Sequence, residues 1–395
     1  MESSYVNLRF LTPLRCGLKL GESLAERAWR VVVAARHQWT GRVVHNTADT
    51  AVPWMTRQHV ASVTSTVSMT SSEYAVKEHS IADTHLILHG VKITHPNRLV
   101  FEEGKITKGD VARYYAAVAP SLLREIRNRP LTVVRCPNGV KADCFYQRNV
   151  GFGLGTHVYP FCWKYKGSSY KYIYVKDAMG IMQMIQMGVI EIHPWGATID
   201  NIHRPDRMIF DLDPDPSVPF SKVKHAAREI RKRLQNVGVE SDLKCTGGKG
   251  LHIVVPLIPH SSWHEVKGWA SAFAHTMVAE APDKYVATIT KSKRKGKILI
   301  DFFRNDYTAT GIASYSLRAR SGAPVAAPVG WRELTNLESG NPFGMNAVLT
   351  RIQRQRPQEA LPGQRLPKLK SGRIEMHDRK KPNIANGSVA RRSFA

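Results

Sequence analysis

The sequence is poor in cysteine, and its few cysteines are not arranged as metal ligands. Five occur in 395 residues and none forms a C-x-x-C pair: Cys16, Cys136, Cys144, Cys162 and Cys245. Structural zinc ribbons are built from such pairs, so a zinc ribbon is not predicted. An odd, scattered set is typical of a reduced protein, and we predict free thiols and a cytoplasmic location.

Long apolar runs and acidic residues are also scarce. No run of about 18 apolar residues occurs, so no helix is expected to span a membrane and no membrane partner is predicted. The chain has 32 Asp and Glu against 57 Lys and Arg, which gives a formal net charge of +25. Such an excess attracts phosphate backbones and favours nucleic acid as the partner over a membrane surface or a ribosome.

Composition divides the chain into three parts. Residues 1–82 join an arginine-bearing stretch of helical spacing to a Ser/Thr-rich stretch, and we predict a disordered leader. Residues 83–345 alternate between strand-like and helical stretches, which predicts one α/β (α+β) domain. Residues 346–395 are rich in Lys, Arg and Pro, and we predict a basic, largely disordered tail.

Periodicity places the main elements of the central domain. Strands are predicted at Leu86–Ile93, Leu131–Arg135, Tyr172–Val175, Val189–His193, Met208–Asp213, Leu251–Ile258 and Ile298–Phe303. Helices are predicted at Val111–Leu123, Ala178–Met187 and Val223–Val237.

Two of the predicted strands carry carboxylates at their ends. Asp211 and Asp213 alternate with Phe210 and Leu212, so both carboxylates should lie on one face of the strand. Asp301 ends a second apolar strand. Three neighbouring carboxylates repel one another unless cations lie between them, and hard oxygen ligands suit Mg²⁺ or Mn²⁺. The pattern predicts a site for two metal ions, although acids exposed at a strand end would give the same string.

A glycine-rich string lies between these two strands. Its candidate phosphate-binding residues are Thr246, Gly247, Gly248, Lys249 and His252. Glycines let the backbone approach a ligand closely, while the hydroxyl, the ammonium and the imidazole can contact phosphate oxygens. The string lacks the spacing of a Walker A loop. It therefore indicates either a triphosphate cradle or a glycine hairpin that binds nothing.

Taken together, the strings resemble a known family between Asp83 and Glu338. The chain is similar to the polymerase domain of bacterial DNA ligase D, in the archaeo-eukaryotic primase superfamily. The matching strings include TKGD (107–110), CFYQ (144–147), HPWG (193–196), FDLDP (210–214), TGGKGLH (246–252), IDFFRN (300–305) and ASYSLRAR (313–320). The loop at residues 148–155 departs from the family pattern, because it is apolar where the family has charge.

The resemblance implies a primase-like core, with a recognition-motif-like β-sheet flanked by helices, and a role for each matched residue. Asp211, Asp213 and Asp301 correspond to the metal-binding triad, and the glycine-rich string corresponds to the triphosphate loop. Nucleotide contacts are implied for Arg304, Arg318 and His193. Lys108 corresponds to a lysine that binds a 5′-phosphate, and Phe145 to an aromatic residue that stacks on nucleic acid.

The activity implied is addition of nucleotides, including ribonucleotides, to primer 3′ ends during gap filling in non-homologous end joining. The implied partners are gapped or broken DNA in the bacterial nucleoid, a Ku-type end-binding protein and a separate DNA ligase. No K-x-D-G motif occurs, so we expect a stand-alone polymerase that does not seal nicks. Two alternatives stay open, a primase that starts chains de novo and a non-catalytic module that binds DNA ends.

Overall fold

The computed structural model describes residues 85–149, 151, 153, 155–354, 361–370 and 373–374. The predicted leader, residues 1–82, lies outside the described residues, and so do residues 355–360, 371–372 and 375–395 of the predicted tail. The boundaries predicted for leader, domain and tail therefore stay predictions.

The described residues form short strands and five α-helices. The strands are β1 His85–Leu88, β2 Val91–Thr94, β3 Leu99–Phe101, β4 Ile106–Thr107, β5 Leu131–Arg135, β6 Phe145–Gln147, β7 Val158–Tyr165, β8 Ser168–Val175, β9 Val189–Pro194, β10 Arg207–Pro214, β11 Asp242–Cys245, β12 Leu251–Pro256, β13 Tyr285–Val286, β14 Ile298–Asp301, β15 Ala327–Val329, β16 Leu369–Lys370 and β17 Arg373–Ile374. The helices are α1 Lys108–Ile126, α2 Ala178–Gln186, α3 Phe220–Asn236, α4 Trp263–Glu280 and α5 Met345–Arg354.

A five-stranded sheet forms the first half of the domain. Its hydrogen-bonded order is β6-β5-β8-β7, and β9 pairs antiparallel with β5. The buried residues of α1 and α2 share one hydrophobic core with those of β5 and β9. Because β9 carries His193 near its end, this packing fixes the position of one candidate site residue.

A six-stranded sheet forms the second half, in the order β13-β14-β10-β12-β11-β15. The apolar residues of α3 and α4 fill a second core on one face of this sheet, where Phe210 packs against Phe273 with ring centroids 4.9 Å apart. One face of the sheet is thus covered by helices. The opposite face carries the carboxylates.

Helix α1 begins where the sequence supplies a capping box. The Thr107 hydroxyl accepts a hydrogen bond from the backbone N–H of Asp110, and the Asp110 carboxylate accepts from the backbone N–H of Thr107. Two of the otherwise unpaired amides at the helix start are satisfied in this way. Lys108 is consequently the first helical residue, in a fixed position at the helix N-terminus.

An aromatic cluster joins the two halves next to His193. Trp195 packs edge-on against Trp163 and Tyr172 of the β7–β8 hairpin, with centroids 5.5 and 5.0 Å away. On its other side it meets Trp263 at the start of α4, 6.3 Å away. Aromatic pairs at such distances add to the stability that burial alone gives. The end of β9 is therefore held against both sheets.

Several elements differ from the sequence predictions. The stretch predicted as one strand at Leu86–Ile93 is a hairpin, because His89 and Gly90 adopt φ of 46° and 77°, as a two-residue turn between paired strands requires. The strand predicted at Tyr172–Val175 begins at Ser168 and pairs along its whole length with β7, which was not predicted. Helix α4 was not predicted either.

The start of the predicted tail is folded. Met345–Arg354 form α5, in which Val348 is buried and Arg351 pairs with Glu333 at 2.7 Å. The apolar residues Val348, Leu349 and Ile352 recur at helical spacing and pack against the first core. The prediction of a disordered tail rested on the many Lys and Arg residues of this region and overlooked that apolar stripe.

The prediction of free thiols is wrong for one pair of cysteines. Cys136 and Cys144 form a disulfide, with Cα atoms 4.4 Å apart. They lie at the facing ends of β5 and β6, and the antiparallel pairing of Arg135 with Phe145 brings them together. Cys162 and Cys245 are free, whereas Cys16 lies outside the described residues. No helix in the part of the chain that the structure describes could cross a membrane.

Candidate active site

The three carboxylates meet on the open face of the six-stranded sheet. β10 pairs antiparallel with β14, and Asp211 lies directly opposite Asp301 in the register. Phe210 and Leu212 point into the core on the other face, as the alternation predicted. Asp213 therefore projects on the same side as Asp211. The predicted convergence of these residues on one face of neighbouring strands is confirmed.

Cations and a histidine surround these carboxylates. Arg304 Nη2 lies 3.1 Å from Asp211 Oδ2, and Arg304 Nε lies 3.2 Å from Asp301 Oδ2. Nε2 of His252 is 3.4 Å from Asp211 Oδ2, and Arg294 pairs with Asp213. One guanidinium thus bridges the two facing carboxylates.

The pKa values of the facing pair move in opposite directions. Burial alone would raise the pKa of Asp211, but His252 and Arg304 outweigh burial and hold that pKa below its ordinary value. Burial raises the pKa of Asp301; Arg304 opposes this, while Asp211 and Asp213 raise it further. The repulsion that Asp211 and Asp213 exert on Asp301 is one that a bound cation would relieve.

The donor set fits hard divalent cations. Three carboxylates on adjacent strands offer the oxygen ligands that Mg²⁺ and Mn²⁺ prefer. As the side chains of the described residues stand, no three acidic, histidine or cysteine side chains form a ready-made metal cluster. Arg294 and Arg304 occupy carboxylate oxygens instead, so metal binding would have to displace them.

Asn305 fixes the loop that carries Arg304. Its side-chain oxygen accepts from the backbone N–H of Ile209 at 2.7 Å, and its amide nitrogen donates to the carbonyl of Ile209 at 2.8 Å. Ile209 lies two residues before Asp211 on β10. The buried Asn305 side chain thereby ties this loop to the strand that carries the first two carboxylates.

The glycine-rich loop connects β11 to β12 beside the carboxylates. Gly247 has a φ of 67°, and a Cβ on Gly250 would lie 2.1 Å from the carbonyl oxygen of Leu212. Only glycine allows the loop to run so close to β10. The Thr246 hydroxyl donates to the carbonyl of Gly250 at 3.0 Å and accepts from Gly248 N at 3.3 Å. The Thr246 hydroxyl therefore links the two ends of the loop.

Two residues of the loop region have polar groups free for a ligand. Lys249 is exposed at the loop tip. His252 is buried, and its Nδ1 has no hydrogen-bond partner among the described residues. Burial lowers the pKa of His252, against the effect of Asp211. Since unpaired buried polar atoms are costly, this nitrogen is available for a hydrogen bond with a ligand or with water.

Arg318 and His193 are the remaining residues predicted to contact the nucleotide. Both contact Glu191, a residue that sequence reasoning missed. Arg318 Nη1 donates to the carbonyl of Thr246 at 2.8 Å, and its Nε lies 3.2 Å from Glu191 Oε2. His193 Nε2 is 2.8 Å from the same carboxylate oxygen. Glu191 lies two residues before His193 on β9, so strand alternation places the two side chains on one face, although it does not reveal the contact with Arg318.

Comparison with known proteins identifies the family. Residues 107–358 match the family model described as "LigD, primase-polymerase domain". The chain belongs to this family. The resemblance predicted from the strings is therefore confirmed.

Individual relatives agree with the family match. The multifunctional non-homologous end joining protein LigD of Pseudomonas aeruginosa is 34% identical over 263 residues, which cover 67% of this chain and 31% of that protein. The corresponding DNA repair protein of Mycobacterium tuberculosis H37Rv is 30% identical over 272 residues, covering 67% of this chain and 36% of that protein. The chain thus spans about a third of the length of these relatives.

A solved structure confirms the predicted fold class. The polymerase domain from Mycobacterium tuberculosis ligase D in complex with DNA superposes with a TM-score of 0.62 at 29% identity. The match covers 67% of this chain and 94% of that chain. The two sheets with their helices are therefore an archaeo-eukaryotic primase-like fold.

The two residues predicted to contact DNA lie apart from the carboxylate cluster. Lys108 is buried at the start of α1, where its Nζ donates to Gln186 Oε1 at 2.7 Å and to the carbonyl of Thr94 at 3.0 Å. Burial, together with Arg98, lowers its pKa to about 8. Two of its three N–H donors are used in these contacts.

Phe145 lies on the edge strand β6, next to the more exposed Tyr146. The two side chains are among the largest exposed apolar groups of the described residues. The Arg135 guanidinium lies over the Phe145 ring, 5.4 Å from its centroid. An exposed ring beside a cation is the arrangement that proteins use to stack on bases. The roles of Lys108 and Phe145 stay predictions.

Proposed function

We propose that this chain is a metal-dependent nucleotidyltransferase that adds nucleotides to the 3′ ends of DNA primers at gaps and breaks. The observation that carries the proposal is the register of Asp211 against Asp301 beside a glycine loop, with Arg304 and Arg318 next to them. Paired carboxylates next to a phosphate cradle form the arrangement that phosphoryl transfer needs.

Each group has a role in the transfer of a nucleotide from its triphosphate. Asp211, Asp213 and Asp301 would hold Mn²⁺ or Mg²⁺. When bound, two such ions activate the primer hydroxyl and neutralise the leaving pyrophosphate. Gly247, Gly248 and the exposed Lys249 receive the phosphate oxygens.

The arginines beside the loop complete the phosphate site. Arg304 and Arg318 offset the charge that grows on the departing pyrophosphate. Thr246 acts through the loop, since its hydroxyl already bonds Gly248 and Gly250. His252 has an unpaired Nδ1 that could contact a phosphate, and His193 contacts the nucleotide from the facing sheet.

DNA is the polymer that we propose is extended. The solved relative is a polymerase domain in complex with DNA, and the net charge of +25 favours binding to its backbone. Lys108 would bind the 5′-phosphate at the far side of a gap, and Phe145 would stack on a base. Ribonucleotides are expected to be accepted along with deoxyribonucleotides.

We place this activity in non-homologous end joining, because the relatives are named for that process. A Ku-type end-binding protein and a ligase are the partners we propose. A nick-sealing assay with ATP tests whether that ligase is a separate protein.

The decisive experiment is incorporation of a labelled nucleotide on a 5′-phosphorylated, gapped duplex. We expect extension of the primer with Mn²⁺ or Mg²⁺ and none with EDTA. DNA binding without metal-dependent extension would instead support the alternative of a non-catalytic end-binding module.

De novo priming is a second candidate, because the family description names both primases and polymerases. The same carboxylates would serve either reaction. Synthesis on a single-stranded template without a primer distinguishes the two, and we expect none.

A further inference from the structure

A buried carboxylate lies between two of the candidate nucleotide-binding residues. Glu191 is 6% exposed, and its two oxygens receive three groups from different parts of the chain. Oε2 faces Nε2 of His193 at 2.8 Å and Nε of Arg318 at 3.2 Å. Oε1 accepts from the backbone N–H of Ala319 at 2.8 Å. A buried charge is tolerated when its oxygens are satisfied in this way.

These contacts extend from one sheet to the other. Glu191 belongs to β9 in the five-stranded sheet, while the Arg318 guanidinium continues to the carbonyl of Thr246 at 2.8 Å. Thr246 begins the glycine-rich loop between β11 and β12, which is the proposed phosphate loop. The Thr246 hydroxyl forms hydrogen bonds with Gly248 and Gly250. Glu191 is therefore connected to the phosphate loop through a single side chain.

The same carboxylate orients the His193 ring. A carboxylate can only accept, so Nε2 of His193 must carry the proton in their hydrogen bond. In a neutral ring, Nδ1 is then the nitrogen with a free lone pair. An acidic partner fixes the orientation of many functional histidines in this way.

We propose that Glu191 is a positioning residue for the incoming nucleoside triphosphate: it holds Arg318 against the phosphate loop and sets the ring orientation of His193. Glu191 itself does not touch the triphosphate. The inference deepens the proposed function and rests on it for the identity of the ligand.

The test is the variant Glu191→Gln, which keeps the shape of the side chain. An amide group replaces one acceptor with a donor, which opposes the N–H groups of Arg318 and His193. We expect the KM for the nucleoside triphosphate to rise roughly ten- to hundredfold, the scale of one charged hydrogen bond. kcat and the affinity for gapped DNA should change much less.

Glu125→Gln is the matched control. Glu125 is a half-buried carboxylate, accepting from Ser314 N at 2.8 Å and facing Lys244 and Arg207 at 3.8 and 3.9 Å. It belongs to α1 and has no contact with the phosphate loop among those described. We expect this variant to lower the melting temperature while leaving the KM nearly unchanged.

Equal changes of KM in the two variants would overturn the proposal, because the effect would then be general destabilisation.

A double variant, in which Glu191→Gln is combined with Arg318→Lys, adds a second criterion. If Glu191 acts through Arg318, the combined loss is smaller than the product of the single losses. Independent, multiplying losses would contradict that connection. If Glu191→Gln does not fold, Glu191→Asp takes its place, since it keeps the charge but shortens the reach.

Direct binding separates this proposal from the proposed function. Calorimetric titration with a non-hydrolysable triphosphate analogue and Mn²⁺ requires no turnover. If the wild type binds the analogue but does not extend primers, the polymerase proposal fails. A weakened affinity in Glu191→Gln, but not in Glu125→Gln, would then still support the positioning role. Unchanged affinity would overturn it.

Discussion

At the scale of single residues, the site is a balance between carboxylates and cations on one sheet face. Asp211 and Asp301 share Arg304, and Asp213 has Arg294. The arginines satisfy charges that would otherwise repel one another. In the proposed function, the same carboxylates would exchange these partners for metal ions.

Removing one carboxylate should therefore abolish turnover. We expect Asp211→Ala or Asp213→Ala to slow nucleotide addition by about a thousandfold or more, since metal ions supply several kcal/mol of transition-state stabilisation. Binding to the gapped duplex should be nearly intact, because neither residue faces the predicted DNA contacts. Incorporation and DNA affinity are measured on the same substrate. Continued synthesis by either variant would remove these residues from the proposed metal site.

Lys108 should discriminate between gaps with and without a 5′-phosphate. We expect Lys108→Ala to weaken binding to the phosphorylated gap by roughly 1.5–3 kcal/mol, the scale of a charged hydrogen bond. Binding to the unphosphorylated gap should hardly change. The exposed Lys92 on β2 provides a control for general charge, since Lys92→Ala should affect both substrates equally. Affinities are compared at one salt concentration.

The pKa of Lys108 gives this prediction a pH dependence. Burial and Arg98 lower that pKa to about 8, so the ammonium is fully charged only below this value in the free protein. The preference for a 5′-phosphate should therefore weaken as the pH rises through about 8. An equal preference at pH 7 and pH 9 would argue that another cation binds the phosphate.

At the scale of elements, strands with strict alternation were predictable from sequence and their partners were not. Phe210 and Leu212 alternate with two acids, and that pattern fixed both the strand and its open face. Glu191 and His193 also alternate along a strand. A Glu two residues before a histidine does not indicate a functional role, however, until the fold brings Arg318 beside it. Sequence shows which residues share a strand, whereas contacts such as Arg318 to Thr246 depend on the packing of distant segments.

The missed elements have different explanations. The β7–β8 hairpin places aromatic residues such as Trp163 and Tyr172 on one face and Lys164 and Lys171 on the other, an alternation that the sequence shows and that was overlooked. The disulfide required knowing that β5 and β6 are neighbours. Helix α4 has a strong start, because Ser262 and Glu265 form a capping box. That signal is visible in the sequence and was overlooked.

Gly340, which lies outside the phosphate loop, packs directly against the backbone of that loop. The carbonyl of Gly340 accepts from Gly247 N at 3.1 Å. A Cβ at Gly340 would lie 2.7–2.8 Å from backbone atoms of Gly248, Lys249 and Gly250. Contacts that short force the backbone to move. We expect Gly340→Ala to raise the KM for the triphosphate by about tenfold, a cost of ~1.4 kcal/mol, by displacing the loop.

Gly268→Ala is the control for the same substitution. Gly268 is exposed within α4, and an added Cβ would meet nothing within 4 Å. Since alanine is the better helix former, the variant should be more stable by about 0.5–1 kcal/mol, with an unchanged KM. An unchanged KM in Gly340→Ala as well would show that the loop does not depend on this contact.

At the scale of the whole molecule, each sheet contributes one part of the site. The six-stranded sheet carries the carboxylates and the phosphate loop, and the five-stranded sheet carries His193 and Glu191. Arg318 and the Trp195 cluster join the two halves. The net charge of +25 acts over a longer range and would raise the rate of encounter with the proposed DNA substrate.

Removing residues 1–68, so that the chain begins at Met69, should leave the activity in place. All candidate site residues belong to the described domain, which begins at His85. The deleted residues include eight Lys or Arg and four Asp or Glu, so the formal charge falls only from +25 to +21. We expect nucleotide addition and the affinity for gapped DNA to be within about twofold of the full chain, the range of a surface change worth about 0.5 kcal/mol.

Both quantities are measured together with the melting temperature and the salt dependence of DNA binding. A truncated protein that melts normally but binds or extends DNA poorly would show that the first 68 residues contribute to function, because its fold would be intact while its activity was lost.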